Sequence, residues 1–291
     1  MGPPLESVPN FSEGRIRATI EAIAAALSGP ARLLDVHADP DHNRSVFTLV
    51  GEDEGLVEAL VAGVGCARER IDLRRHDGAH PRIGAADVVP LVPVARDDMD
   101  RARAAALETA GRIGELGLPV FLYGGPGRGP AFFRRGGPEE LQRRVDAGEI
   151  TPDFGPSKLD PSAGAVLVGA RPPLIAFNVN LKTDDVGVAR AIARSVREAD
   201  GGFPGVRALG LDLPRAGLVQ VSMNVEDWKA AALHEVVGRV VDEAAARGVE
   251  VAGSELVGLM PAGAAAAAAG AMLRIDNFDA ARVLELRLLE K

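Results

Sequence analysis

The sequence predicts an α+β protein made of two ferredoxin-like (βαββαβ) subdomains packed face to face with a ligand tunnel between them. Three observations lead there. The chain has 291 residues, about two domains at roughly 150 residues each. Hydrophobic residues make up 47% of it, enough for sizeable cores and too many for a disordered chain. The order strand–helix–strand–strand–helix–strand is legible over residues 5–94 and again over 174–256. That order is the split βαβ arrangement, which makes each half one antiparallel sheet with helices on one face. Two bare sheet faces set against each other would cover both and leave a cleft, a favoured ligand position. The subdomains are expected over 1–174 and 175–291.

The elements follow in order. A short strand at Leu5–Val8 leads into Pro9-Asn10-Phe11-Ser12-Glu13-Gly14, and Ser12 is the expected N-cap of a helix ending near Leu27. Arg32–Val36 and Ser45–Val50 alternate as strands. Glu52–Arg70 places Leu56, Val57, Leu60, Val61 and Val64 on one side of a helix. Asp87–Val94 reads as a strand, an edge one because of Pro90 and Pro93. Met99–Leu116 is a helix and Pro119–Tyr123 a strand. Gly124–Gly137, rich in Gly, reads as a loop, Pro138–Ala147 as a short helix, and Thr151–Gly164 as a second loop. Long irregular loops in compact domains are often functional. After Pro172-Pro173 come a strand at Leu174–Leu181, a helix at Asp184–Glu198 capped by Thr183 or Asp184, and strands at Val206–Leu213 and Leu218–Val225. A helix over Asp227–Arg247, a strand at Val249–Leu256, an Ala-rich helix and a terminal helix around Asp279–Leu289 complete the order.

Composition excludes several functions. Lys plus Arg is 33 and Asp plus Glu is 41, a net charge of −8. A protein that neutralises phosphates is ordinarily basic, and nine Phe, one Trp and one Tyr offer no stacking platform for bases, so no nucleic-acid partner is expected. Cys66 is the single cysteine, which forbids an intramolecular disulfide and a Cys-based zinc site. The N-terminal stretch lacks a basic segment followed by an apolar one, so no leader is expected and a cytoplasmic location follows. Leu256–Leu273 is uncharged over 18 residues, near the lower limit for a membrane span. Pro261 and eight alanines favour a loop and a buried helix instead, so no membrane partner is expected.

Three sets of polar residues carry the chemistry. Asn178 and Asn180 alternate with Phe177, Val179 and Leu181, and Gln220, Ser222 and Asn224 alternate with Val219, Val221, Met223 and Val225. Each set shares one sheet face. A solvated face would do the same, but uncharged amides and hydroxyls also suit a wall that hydrogen-bonds a polar heterocycle. His76-Asp77-Gly78-Ala79-His80-Pro81-Arg82-Ile83-Gly84 is the densest cluster. Its two His are four apart, but Gly78 and Pro81 oppose a helix and no Glu flanks the first His, so the zinc pattern is not met. A loop histidine beside a guanidinium suits acid–base work near neutral pH, and Arg82 can grip a carboxylate. A surface loop with incidental histidines is the plain alternative. Asp35-Val36-His37-Ala38-Asp39-Pro40-Asp41-His42-Asn43-Arg44 has the donors for a divalent metal and also the residues of a turn between strands; the turn is favoured, no metal is expected, and Arg44 is a candidate anion contact. Tyr123–Pro130 lacks a phosphate-loop ending, and Ser157, Ser162 and Ser222 lack a nucleophile-elbow context.

These stretches together resemble the formiminotransferase domain of glutamate formiminotransferase–cyclodeaminase and its stand-alone bacterial relatives. The matching segments are Val8-Pro9-Asn10-Phe11-Ser12-Glu13-Gly14, Asn43-Arg44-Ser45-Val46, His76 to Gly84, Phe121-Leu122-Tyr123-Gly124, Pro152-Asp153-Phe154-Gly155-Pro156, Gly169-Ala170-Arg171, Ala176 to Leu181, Gln220 to Asn224 and Leu256 to Pro261, in order across nearly the whole chain. The resemblance implies two ferredoxin-like subdomains with tetrahydrofolate between them as co-substrate, and transfer of a formimidoyl group from N-formimidoyl-L-glutamate. It places the catalytic histidine before Pro-Arg, here His80, as a proton shuttle. Around it, Asn10, His37, Asn43, Arg44 and Arg82 are candidates for the donor substrate. Pro156, Ser157, Gly164 and Ala165, with Asn178, Asn180, Gln220, Ser222 and Asn224, are candidates for folate. A homodimer is implied, and a separate cyclodeaminase is a candidate partner, since no such domain is expected in this chain. Where animal members carry acidic residues, this chain has His37 and Ala79. A related one-carbon transferase using a formyl or other donor, or a folate-binding protein without catalysis, are the alternative functions.

Overall fold

The computed structural model describes residues 3–95, 98–124 and 127–289. Two compact units are present, 1–172 and 173–291, in a mixed α+β architecture with one sheet in each.

In the first unit the order is β1 (Leu5–Ser7), β2 (Asn10–Phe11), α1 (Arg17–Leu27), β3 (Arg32–Asp39), β4 (Arg44–Gly51), α2 (Asp53–Arg70), a 3₁₀ turn at Leu73–Arg75, and β5 (Ala86–Pro93). Then come α3 (Met99–Glu115), β6 (Val120–Tyr123), α4 (Pro130–Arg134), α5 (Gly137–Asp146) and β7 (Val166–Ala170). β1 and β2 lie end to end as one interrupted strand, antiparallel to β4 on one side and β5 on the other. β3 lies outside β4, antiparallel to it. β7 pairs with β5 and β6 with β7, both in parallel.

This sheet departs from the expected antiparallel one with helices on a single face. Parallel neighbours need crossover connections, and here α3 provides one and α4–α5 the other. The two faces of the parallel part are therefore both covered. Val89, Val120, Val166 and Val168 pack with α1, α2 and α3 around Leu56, Leu60 and Val64. Val88, Phe121 and Leu167 pack on the opposite face with Phe133 of α4 and Leu141 and Val145 of α5. Strand β7 and helix α4 lie where no element, or only loop, was expected. Residues 125 and 126 of that loop lie outside the described residues, as do residues 1 and 2 of the N-terminal stretch.

β5 is an interior strand, not an edge. Pro9 and Pro90 both fall where β1 ends and β2 has not begun, between the pairs Ser7↔Leu91 and Asn10↔Val88. The missing proline N–H groups thus meet a gap in the ladder rather than breaking one. Ser12 does not cap α1. Its hydroxyl donates to the Gly84 carbonyl at 2.7 Å, and the helix begins after Ile16, where Glu13 accepts from the Arg15 and Ile16 backbone N–H groups at 2.7 and 2.8 Å.

The second unit runs β8 (Ile175–Leu181), α6 (Val186–Val196), β9 (Val206–Leu213), β10 (Leu218–Val225), α7 (Leu233–Ala245), β11 (Val251–Val257), α8 (Ala262–Leu273) and α9 (Leu284–Leu289). Its sheet has the order β11-β8-β10-β9, antiparallel throughout. Ile175, Val179, Val219 and Val221 pack with Ile192 and Val196 of α6 and Val236 and Val240 of α7. α6 is capped by Asp185, which accepts from the Gly187 N–H at 2.8 Å, one residue beyond the expected cap. α7 starts at Leu233 rather than Asp227. The Asp227 carboxylate takes the Lys229 and Ala230 N–H groups and closes a separate turn first. Among the described residues no helix is long and apolar enough to cross a membrane.

Candidate active site

A bulge in β5 starts the site. Phe11 pairs with Ala86 and Asn10 with Val88, so Asp87 is the extra residue between them. Bulges re-aim side chains, and this one turns a carboxylate into a fully buried position. Asp87 Oδ1 accepts from the Ile83 N–H at 2.9 Å. Oδ2 accepts from Arg44 Nη1 at 2.8 Å and from Arg134 Nη2 at 2.5 Å. Burial alone would raise the carboxyl's pKa; Arg134 and Arg44 override it and hold the group far below the ordinary carboxylate range. Arg44, at the start of β4, also donates Nε to Asn10 Oδ1 at 2.9 Å. Burial lowers the Arg44 pKa to about 10 against the pull of Asp87, so the guanidinium keeps its charge.

The loop 76–84 is knotted to the turn 40–43. Arg82 donates Nη1 to the Asn43 carbonyl at 3.2 Å and Nη2 to the His42 and His80 carbonyls at 3.0 and 2.5 Å. Its Nη1 also lies 2.7 Å from the His76 ring. His76 Nε2 donates to the Asn43 carbonyl at 3.1 Å, so Nδ1 is the nitrogen left to accept from Arg82. Asn43 sits in the left-handed region at φ 46°. Its Oδ1 accepts from the Gly14 N–H and its Nδ2 donates to the Asp77 carbonyl, both at 2.9 Å. Gly78 leaves room for this knot, since a Cβ there would stand 2.3 Å from the His42 carbonyl oxygen. His76 and His80 share no helix; bends and Pro81 separate them.

His80 is half-buried, with its ring centroid 5.9 Å from that of His42. Nδ1 lies 2.8 Å from the Pro81 carbonyl oxygen. A carbonyl only accepts, so Nδ1 carries the proton and Nε2 presents its lone pair. Burial, then the positive charges of Arg44 and Arg134, push the imidazole well below its ordinary pKa, with Asp87 opposing. The result is a neutral imidazole with one nitrogen available as a base.

Of the residues expected from the sequence, the structure bonds Asn10 to Arg44 and Arg82 to the Asn43 and His80 carbonyls, two groups adjacent along the chain at Asn43-Arg44. Arg82 and Asn43 are occupied with loop backbone. His37 stands on β3 opposite Val46, itself opposite Asn10, so it occupies the same sheet face two strands away from β2. Asp87 and Arg134 escaped notice. Asp87 had a signal, a lone charge in the apolar run Ala85–Val92; Arg134, in Phe132-Phe133-Arg134-Arg135, had none.

The other candidates lie on other segments of the chain. Pro156 and Ser157 are exposed. Gly164, at φ 69°, bridges to Gly84, and Ala165 is fully buried beside Ile83 and Phe121. In the second unit Gln220 pairs with Asn180, Ser222 with Asn178, and Asn224 with Ala176. Gln220 Nε2 donates to Asn180 Oδ1 at 2.9 Å, while its fully buried Oε1 has no partner among the described residues. Asn178 Nδ2 donates to Glu255 Oε2 at 3.1 Å. Asn224 is exposed. Among the described residues no three His, Cys, Asp or Glu side chains gather as a metal site.

Residues 4–171 match the family model described as the formiminotransferase domain, N-terminal subdomain, and residues 176–282 match that described as the formiminotransferase domain. The chain is 40% identical over 294 residues to the glutamate formimidoyltransferase of Streptococcus pyogenes serotype M1, covering 98% of each chain. It is 39% identical over 297 residues to that of Thermoplasma acidophilum, covering 99% of this chain and 97% of the other. It is 41% identical over 271 residues to the formimidoyltransferase-cyclodeaminase of Rattus norvegicus, covering 88% of this chain and 50% of the other.

Proposed function

The chain belongs to the formiminotransferase domain family, and we propose on that premise that it transfers the formimidoyl group of N-formimidoyl-L-glutamate to tetrahydrofolate, its co-substrate. Relatives that this chain matches over 98% and 97% of their length bear the name of that activity. The observation that carries the chemistry is His80, whose Nδ1 faces the Pro81 carbonyl and whose Nε2 is thereby a base.

The reaction needs such a group. A nitrogen of tetrahydrofolate adds its lone pair to the amidine carbon of the donor, forming a C–N bond and a tetrahedral adduct. The adding nitrogen must lose a proton, and the glutamate nitrogen must gain one before its C–N bond breaks. His80 Nε2 takes the first proton and delivers the second, ending neutral as it began. Arg44 holds a donor carboxylate by charge-assisted hydrogen bonds, and Asn10 fixes Arg44. Asn43, Arg82 and His76 hold the loop that carries His80. His37 lines the same sheet face toward the donor. The folate contacts assigned are Pro156, Ser157, Gly164 and Ala165, by backbone or surface, with Asn178, Asn180, Gln220, Ser222 and Asn224. Of these, Gln220 Oε1, without a partner among the described residues, is best suited to accept from a heterocycle N–H.

In this proposal 1–174 and 175–291 are the two subdomains, each ferredoxin-like at heart. The strand order β11-β8-β10-β9 supports that for the second, and β1/β2-α1-β3-β4-α2-β5 for the first, which α3 to β7 extend. A cytoplasmic homodimer completes the proposal. A separate cyclodeaminase is its partner, since the rat relative, which this chain spans over half its length, carries that activity in its name.

The test is direct. The purified protein is mixed with N-formimidoyl-L-glutamate and tetrahydrofolate, acidified, and read for methenyl-tetrahydrofolate absorbance. A signal is expected from the native chain. No signal from folded protein overturns the assignment.

A further inference from the structure

We infer that Arg134, from helix α4, is a second receptor for the donor's carboxylates and makes the site selective for a dicarboxylic donor; this rests on the function proposed above. Asp87 Oδ2 accepts from both Arg44 and Arg134. One carboxylate thus fixes two guanidiniums, and one positive charge stays uncompensated. The fixing uses only part of each fork. Arg44 commits Nη1 and Nε, and Arg134 commits Nη2. Among the described residues Arg134 Nε is buried without an acceptor. A buried guanidinium N–H without an acceptor is costly, so Arg134 Nε, on a guanidinium fixed to the same carboxylate as Arg44, marks a place where an anion binds.

The geometry also says which anion. Two guanidiniums held a fixed distance apart by a shared carboxylate match two carboxylates on one short chain better than a single one, because each fork can pair separately. Glutamate and its N-formimidoyl derivative carry two. Arg82 is not available for this role, since its donors serve the loop carbonyls and the His76 ring. Asp87 has the positioning role, fully buried and fixing both forks.

The test uses the full chain with Arg134→Met and Arg134→Lys. In the methenyl-forming assay, Arg134→Met should raise KM for N-formimidoyl-L-glutamate about tenfold or more, the effect of losing charge-assisted hydrogen bonds. KM for tetrahydrofolate should stay within about twofold of the native value. Glutarate, a dicarboxylate inhibitor, should lose potency by the same factor, whereas butyrate, with one carboxylate, should lose little. Arg134→Lys keeps a charge for Asp87 but not the fork, and should fall between. Unchanged donor KM and glutarate inhibition in either folded variant overturn the inference. If Arg134→Met fails to fold, Arg134→Lys decides alone. If the native chain transfers no formimidoyl group, the proposed function fails. Arg134 is then judged by calorimetric titration of L-glutamate into native and Arg134→Lys protein, where equal affinity overturns the inference.

Discussion

At the scale of single residues, electrostatics decides what His80 can do. Burial and two guanidiniums keep the imidazole neutral below the pH at which a free histidine would charge. The acid limb of kcat/KM should therefore lie below about pH 6.5, the ordinary histidine value, and a pH–rate profile checks this. Replacing Arg134 or Arg44 removes a charge that lowers the His80 pKa, so the limb should move up toward 6.5. His80→Ala should lower turnover about 10²-fold or more while leaving the protein folded, which steady-state kinetics and a thermal melt separate. The same shift has a consequence for stability. His76 and His80 bind protons less readily folded than unfolded, so their contribution is present at neutral pH and is lost as pH falls below about 6.5. Asp87→Asn should cost about 3–5 kcal/mol in urea denaturation, because two buried guanidiniums would lose their shared partner.

At the scale of elements, the site depends on close backbone approaches. The loop bearing His80 ends at Gly84, where a Cβ would stand 1.9 Å from the Ala165 carbonyl oxygen. Two strands of backbone cross there, the Ser12 hydroxyl bonding the Gly84 carbonyl on one side and the Ala165 N–H bonding that of Ile83 on the other. Gly84→Ala should force them apart, cost about 1–3 kcal/mol as overpacking does, and lower turnover together with stability; parallel melts and rate measurements test the coupling. The bulge is a second device of this kind. Without the extra residue, Asp87 would lie in the ladder like its neighbours and could not face Arg44 and Arg134 at once. Pro90, which with Pro93 suggested an edge strand, instead faces the break between β1 and β2. The short helix α4 matters for one residue above all, since it carries Arg134 to a carboxylate 47 positions earlier.

At the scale of the whole molecule, each unit has its own core. The clusters around Leu60 and around Ile192 share no residue. Leu60→Ala and Ile192→Ala should each cost about 2–5 kcal/mol, and the double variant should cost the sum within about 0.5 kcal/mol; denaturant titration of the four proteins checks this. Family membership runs across both units, with one model matching each.

The division between sequence and tertiary structure follows the range of the forces involved. Sequence by itself determined what local periodicity and turn chemistry determine. The helices at 53–70 and 99–115, the strands at 206–213 and 218–225, and the alternation that puts Gln220 and Ser222 on one face were all legible. So was the density of polar groups from His76 to Gly84; His80 within it was singled out by the family resemblance. Only the tertiary structure decided the rest, because the rest depends on contacts between distant segments. The parallel pairing of β7 beside β5 made an apparent edge strand interior. Ser12 gave its hydroxyl to Gly84 rather than to a helix, and Arg82 spent its donors on the turn 40–43. Asp87 and Arg134 became partners through a bulge and a crossover that no local pattern announces. A charge in an apolar strand shows in the sequence; which charge answers it is settled only when the chain has folded.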